Sequence, residues 1–113
     1  MAQTNRIKPL VLTTVDTSEI SAITWIAFDD DGIEGACFFL RITNDSDTDV
    51  IITYNGADDH EFIAADSTIE VNFQTNSSPS GYVSKLKKGT VISVSGSAGT
   101  GLVYLAGYYN EIL

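Results

Sequence analysis

The residues able to do chemistry are few and scattered. The single histidine, His60, lies in Asp58-Asp59-His60-Glu61, and an imidazole flanked by acids can act as a general base once a carboxylate orients its ring. No nucleophile accompanies it. The sequence holds no Gly-x-Ser-x-Gly elbow, and its only cysteine, Cys37, sits in the apolar run Ala36-Cys37-Phe38-Phe39-Leu40 without an acidifying neighbour. We read His60 as a surface residue just after the Asn55-Gly56 turn and Cys37 as a small core residue. No catalytic residue is assigned, and the expectation is that the chain is not an enzyme.

Oxygen ligands for a hard cation are the more serious chemistry. Asp45, Asp47 and Asp49 alternate in Asn44-Asp45-Ser46-Asp47-Thr48-Asp49, a spacing that can suit calcium. The EF-hand pattern then wants Gly sixth and Glu twelfth, and those positions hold Val50 and Gly56. Asp29-Asp30-Asp31-Gly32 with Glu34 is a second, equally incomplete cluster. Both read better as turns whose short acids bond backbone N–H groups, with calcium at Asp45/Asp47/Asp49 or at Asp29/Asp31 left as the alternative. Gly96-Ser97-Ala98-Gly99-Thr100-Gly101 lacks the Lys-Ser/Thr and the helix of a phosphate-binding loop. It reads as a hairpin loop whose small residues let another backbone approach closely. One cysteine excludes an internal disulfide framework, and one histidine excludes the usual multi-histidine metal sites. No cofactor and no metal site is assigned.

The elements that would position these residues are strands. Of 113 residues, 8 are Val, 12 Ile and 12 Thr, with 5 Tyr, 5 Phe and 1 Trp, a composition that favours extended chain throughout. Runs of such residues are punctuated by Gly, Asn, Asp and Ser, and we place strands near 6–15, 20–28, 35–43, 49–54, 60–65, 68–74, 81–86, 90–95 and 102–109. The fold class that follows is all-β: a single-domain antiparallel β-sandwich, jelly-roll-like, of eight or nine strands. Residues 10–113 form this domain and residues 1–9 an N-terminal arm. Asp16-Thr17-Ser18-Glu19 looks like a helix start, but the β-branched and aromatic residues after it favour strand over 20–28.

Face patterns say which side chains are buried. Ile69, Val71 and Phe73 alternate with Glu70, Asn72 and Gln74, so the first three face a core. Val50, Ile52 and Tyr54 make a similar face leading into Asn55-Gly56, a pair suited to a tight hairpin turn. Asp30-Asp31-Gly32 marks the turn between the second and third strands. Two strands, Ala36–Leu40 and Leu102–Tyr109, are apolar on both faces, and the second face needs a cover from this chain or from another subunit. The candidate contact residues are Phe39, Val103, Leu105 and Tyr109, with Arg6 and Lys8 in the arm. On this reading Leu105→Lys should abolish assembly and leave a folded domain.

Charge excludes further classes. Net charge is −9, with all six basic residues at Arg6, Lys8, Arg41, Lys85, Lys87 and Lys88. The acidic middle argues against binding nucleic acid through its phosphates. An acidic surface with small basic patches suits contact between unlike patches of neighbouring copies, or docking on a basic partner. The three late lysines also suit a solvated edge that discourages stray strand pairing. No apolar window reaches the length of a membrane span, and the first residues do not build a signal-peptide core, so synthesis and folding in a cytoplasm are expected.

Several stretches together resemble small β-sandwich virion proteins of tailed bacteriophages. They are Arg41-Ile42-Thr43-Asn44-Asp45-Ser46, Val50 to Gly56 with its Tyr-Asn-Gly end, Asp59 to Ala65, Lys88 to Val94, and Gly99-Thr100-Gly101 to Leu105. The resemblance spans residues 38–109. It implies a non-enzymatic part of a virion made in the host cytoplasm: a head decoration or auxiliary protein, or a small tail or collar component. The implied partners are a major capsid or other virion protein and further copies of this chain as a homo-oligomer, with the basic arm reaching a neighbour. The alternative is a carbohydrate-binding module using Trp25, Tyr54, Tyr82, Tyr104, Tyr108 and Tyr109 as stacking platforms for a glycan.

Overall fold

The computed structural model describes residues 5–72 and 86–112. The expected strand near 81–86 lies outside them apart from Leu86, as do Phe73, Gln74, Tyr82 and Lys85. The described residues form nine strands: β1 (Asn5–Pro9), β2 (Thr13–Asp16), β3 (Ile26–Ala27), β4 (Cys37–Ser46), β5 (Val50–Thr53), β6 (Glu61–Ile63), β7 (Ser67–Asn72), β8 (Ser93–Ser95) and β9 (Gly101–Ile112). The larger sheet runs β1-β9-β4-β7, with β2 also paired to β9; the smaller runs β3-β8-β5-β6. Every pairing is antiparallel. The fold is the all-β sandwich that the strand-rich composition predicts.

The core lies between the sheets. Val15, Leu40, Ile42, Val103 and Leu105 come from the larger sheet, facing Val50, Ile52, Ile63 and Val94 from the smaller, all buried. Each such side chain contributes about 1.5–3 kcal/mol on burial. Ile69 is half-buried against this core and Glu70 and Asn72 are exposed, as the alternation over 69–72 requires.

Four local expectations need correction. Residues 5–9, read above as an arm, are strand β1, paired with β9 from Asn5↔Ile112 to Pro9↔Tyr108. Strand β9 has 12 residues and β2 only four, so the second half of β9 has backbone groups that β1 satisfies. The predicted strand 6–15 breaks between β1 and β2, where Val11 N–H turns to Glu34 Oε1 at 2.9 Å. The strand expected over 20–28 shrinks to Ile26–Ala27. Asp16 caps a single 3-10 turn, Thr17–Glu19, by accepting from Ser18 N–H at 2.9 Å, so the helix-start signal there is genuine. That bond to Ser18 also holds the Asp16 carboxyl below its ordinary range. Asn55-Gly56 does not make a two-residue turn either: β5 and β6 pair from Val50↔Ile63 to Ile52↔Glu61, leaving a longer loop over 54–60.

At one end of the sandwich, the β4–β5 turn packs directly on the β8–β9 loop. A Cβ at Gly96 would fall 2.7 Å from Asp49 O, and one at Gly101 would fall 2.7 Å from Ser46 Cα. The glycines thus admit a second backbone, as the sequence predicts. Gly101→Ala should cost about 1–3 kcal/mol, because φ is +122° and the backbone beside it cannot yield. Gly56→Ala, at φ +77° with open space around it, should cost no more than about 1 kcal/mol. Urea unfolding of the two variants checks the difference.

Candidate functional site

The register of β4 and β9 decides which residues can meet a partner. Phe39↔Tyr108, Arg41↔Ala106, Thr43↔Tyr104 and Asp45↔Leu102 lie on one side of the larger sheet, and Leu40, Ile42, Val103 and Leu105 on the other. Val103 is 0% exposed and Leu105 3%, so both belong to the core and neither can be a contact residue. Tyr109 also points inward: its ring lies where a Cβ on Gly35 would sit. Of the four strand candidates only Phe39 is on the outer face. The missed outer residues are Leu102, Tyr104, Ala106 and Tyr108, all half-buried. In a strand apolar on both faces, composition carries no signal for the inside, and only the pairing supplies it. Arg6 and Lys8 lie on β1 at the edge of this sheet, opposite Glu111 and Tyr109.

Phe39 owes its position to a β-bulge. Cys37 pairs with Tyr109 and Phe39 with Tyr108, so Phe38 is an extra residue in β4. This explains why Ala36–Leu40 has no polar alternate. Phe38, Phe39, Ile7, Arg41 and Tyr108 line an open groove of about 370 Å³. The Phe39 and Tyr108 rings are tilted at 42° with centroids 6.0 Å apart, and the Arg41 guanidinium lies 5.8 Å from the Phe39 centroid. Arg41 Nε also donates to Glu70 Oε2 at 3.1 Å, an exposed pair that orients the guanidinium more than it stabilises the fold. Thr68 Oγ1 donates to Thr43 Oγ1 at 3.2 Å further along. The face combines aromatic rings, aliphatic side chains and one fixed cation. It can bury apolar surface and bond polar groups.

The other candidates have structural duties. Asp47 Oδ1 accepts from Thr100 N–H at 2.8 Å and Asp49 Oδ1 from Ala65 N–H at 2.9 Å, tying the β4–β5 turn to its neighbours. Asp29 Oδ1 accepts from Asp31 N–H at 2.9 Å within its own turn. Among the described residues no three metal-ligating side chains converge. His60 is exposed at the end of the 54–60 loop, stacked on Tyr54. Burial, and then the adjacent Glu61 carboxylate, push the Tyr54 hydroxyl well above its ordinary range. Cys37 is fully buried, its thiol donating to Gly35 O at 3.5 Å, and burial followed by the charge of Glu34 raises it to about 11. The thiol of the folded protein should therefore resist a water-soluble disulfide reagent at pH 8 and react promptly once urea unfolds the chain.

A residue without a role in the sequence reading proves central to this end of the fold. Asn44, fully buried, donates from Nδ2 to Thr48 O at 2.8 Å and to Ile63 O and Ala64 O at 3.2 Å. Its Oδ1 accepts from Ser46 Oγ. One amide thus joins β4, its turn and the end of β6. The Asn-x-Ser spacing at 44–46 was the available signal.

No protein-family model matches the chain, and no curated protein matches it. Among solved structures, it is similar to a chain from Bacillus endospore appendages, described as a family of disulfide-linked pili. The two share 15% identity with a TM-score of 0.52, over 96% of this chain and 90% of that one. At that identity the likeness is one of fold.

Proposed function

We propose that this chain is a non-enzymatic structural subunit that assembles with copies of itself through the outer face of its larger sheet. The observation that carries the proposal is the half-buried row Leu102, Tyr104, Ala106, Tyr108 and Phe39, on the side of the sheet away from the core. The face is four strand positions wide and ten residues long in β4, roughly 34 by 19 Å or about 650 Å². That is close to the ~800 Å² per partner of a standard interface. The fold likeness to an appendage subunit supports a structural role of this kind. The narrower reading, a decoration or tail component on a phage capsid, rests on the sequence resemblance alone, and the solved-structure likeness lies with a bacterial spore appendage instead.

The linkage would differ from that of the appendage protein. The one cysteine of these 113 residues is Cys37, sealed in the core, so contacts through this face are non-covalent. Light scattering on the purified protein should give a mass of several subunits, unchanged by reductant. Tyr108→Lys should reduce that mass to one subunit and leave the β-sheet circular dichroism intact. A monomeric wild-type protein, or a Tyr108→Lys variant that assembles normally, would overturn the assignment.

A second reading has one specific observation behind it. The Phe39–Tyr108 ring pair beside the Arg41–Glu70 pair offers both a stacking platform and hydrogen-bonding groups for a glycan. Saturable binding to glycans by a monomer, lost in Tyr108→Ala, would favour it over assembly.

A further inference from the structure

The chain's one histidine bonds across the loop between β5 and β6. The 54–60 loop, between β5 and β6, is secured at its base by Thr53 Oγ1, which accepts from Gly56 N–H at 3.1 Å. Asn55 Oδ1 accepts from the N–H groups of Ala57 and Asp58 at 2.9 and 3.0 Å. At the far side His60 N–H donates to Ile52 O at 2.9 Å. Between these, the His60 ring closes the loop: Nδ1 accepts from Tyr54 N–H at 3.0 Å, and the ring stacks on Tyr54 at 5.4 Å and 26°.

A nitrogen that accepts carries no proton, so the neutral ring holds its hydrogen on Nε2. When the ring takes a proton from solvent, Nδ1 becomes a donor facing the Tyr54 donor. The Tyr54 N–H then loses its partner, and two N–H groups oppose each other. We propose that the 54–60 loop is a proton-operated latch, closed while His60 is neutral and opened when Nδ1 is protonated. Two of the acids around it have other engagements. Asp58 Oδ2 accepts from Asn55 Nδ2 at 2.9 Å, Glu61 Oε2 accepts from the Tyr54 hydroxyl at 3.0 Å, and Asp59 precedes the histidine on the loop. Ordinary carboxyls change charge near pH 4, below the interval in which histidines do. Tyr54 packs against the core, so an open latch loosens one side of a core-anchoring ring.

The test is nuclear magnetic resonance on the whole ¹⁵N-labelled chain from pH 8 to pH 5. The imidazole nitrogens should report the Nε2–H tautomer at pH 8. On acidification the Tyr54 amide should lose protection from exchange by about tenfold or more, in step with the imidazole signals, while β5 keeps its own protection. His60→Asn sets a side-chain oxygen near the Nδ1 position without a titrating group, and its Tyr54 amide should stay protected across the range. His60→Phe keeps a ring but no acceptor, and should leave that amide unprotected at every pH. An Nδ1–H tautomer at pH 8 would overturn the latch. So would an equal loss of protection in His60→Asn, which would place the responsible proton on Asp58, Asp59 or Glu61.

Discussion

Leu105→Lys should destabilise the fold severely. The side chain is 3% exposed between the two sheets, in the cluster with Ile42 and Val103. The substitution removes a packed leucine, and the ammonium group must either stay among apolar side chains or reach the cavity of about 280 Å³ that Leu105 lines together with Asp29 and Glu34. The lost leucine alone costs about 2–5 kcal/mol, a large share of the stability of many domains. Circular dichroism and a thermal melt would show an unfolded chain at 25 °C, or a midpoint far below that of the wild type. Tyr104→Lys, one residue away on the same strand, should melt close to the wild type, because its side chain lies on the outer face. The outcome anticipated from the sequence, a folded but unassembled Leu105→Lys subunit, instead belongs to the outer row. A Leu105→Lys protein that folds normally would mean that the register of β4 and β9 is wrong.

Asn44→Asp should be nearly as damaging while changing almost no volume. The wild-type Nδ2 shares its two hydrogens among three carbonyl oxygens, those of Thr48, Ile63 and Ala64. An aspartate sets an acceptor against all three and buries a charge with them. Lost bonds to buried groups cost about 1–3 kcal/mol, and more when a charge is involved, so we expect a loss above about 3 kcal/mol. Urea unfolding at pH 7 measures it. The loss should shrink as the pH is lowered, because protonation removes the buried charge and restores one donor. A loss under 1 kcal/mol would show that the three carbonyls find other partners.

Where one face is polar, as over 69–72, alternation alone set Ile69 and Val71 apart from the exposed Glu70 and Asn72, because water and core select different residue types. In β9 that contrast is missing. Val103 and Leu105 could not be told from Leu102 and Tyr104 by composition, and a shift of one residue exchanges the two sets. Residues 6–9 fell within the strand expected over 6–15 and were also assigned to an arm, because their pairing with the end of β9 is not visible in the sequence. The segment after Asp16 shows a different limit. Its cap was legible, but the chain's propensity for strand outweighed a signal that serves a single 3-10 turn. His60 was rightly read as a surface residue, yet its bond to the Tyr54 N–H depends on a loop conformation that spacing does not reveal. Asn44 looked like punctuation because the three carbonyls it gathers come from chain up to 20 residues away.

The extra residue in β4 bears on how this chain can change length. Deleting one residue from a strand ordinarily turns every residue on one side of the gap inside out. Phe38 is an exception, since Cys37 and Phe39 already face opposite ways across it. Loss of a single codon there would straighten the strand, keep Cys37 inside and Phe39 outside, and take one ring from the groove. A lineage of such chains can therefore gain or lose a residue at this point and reshape the outer surface in one step, with the interior conserved.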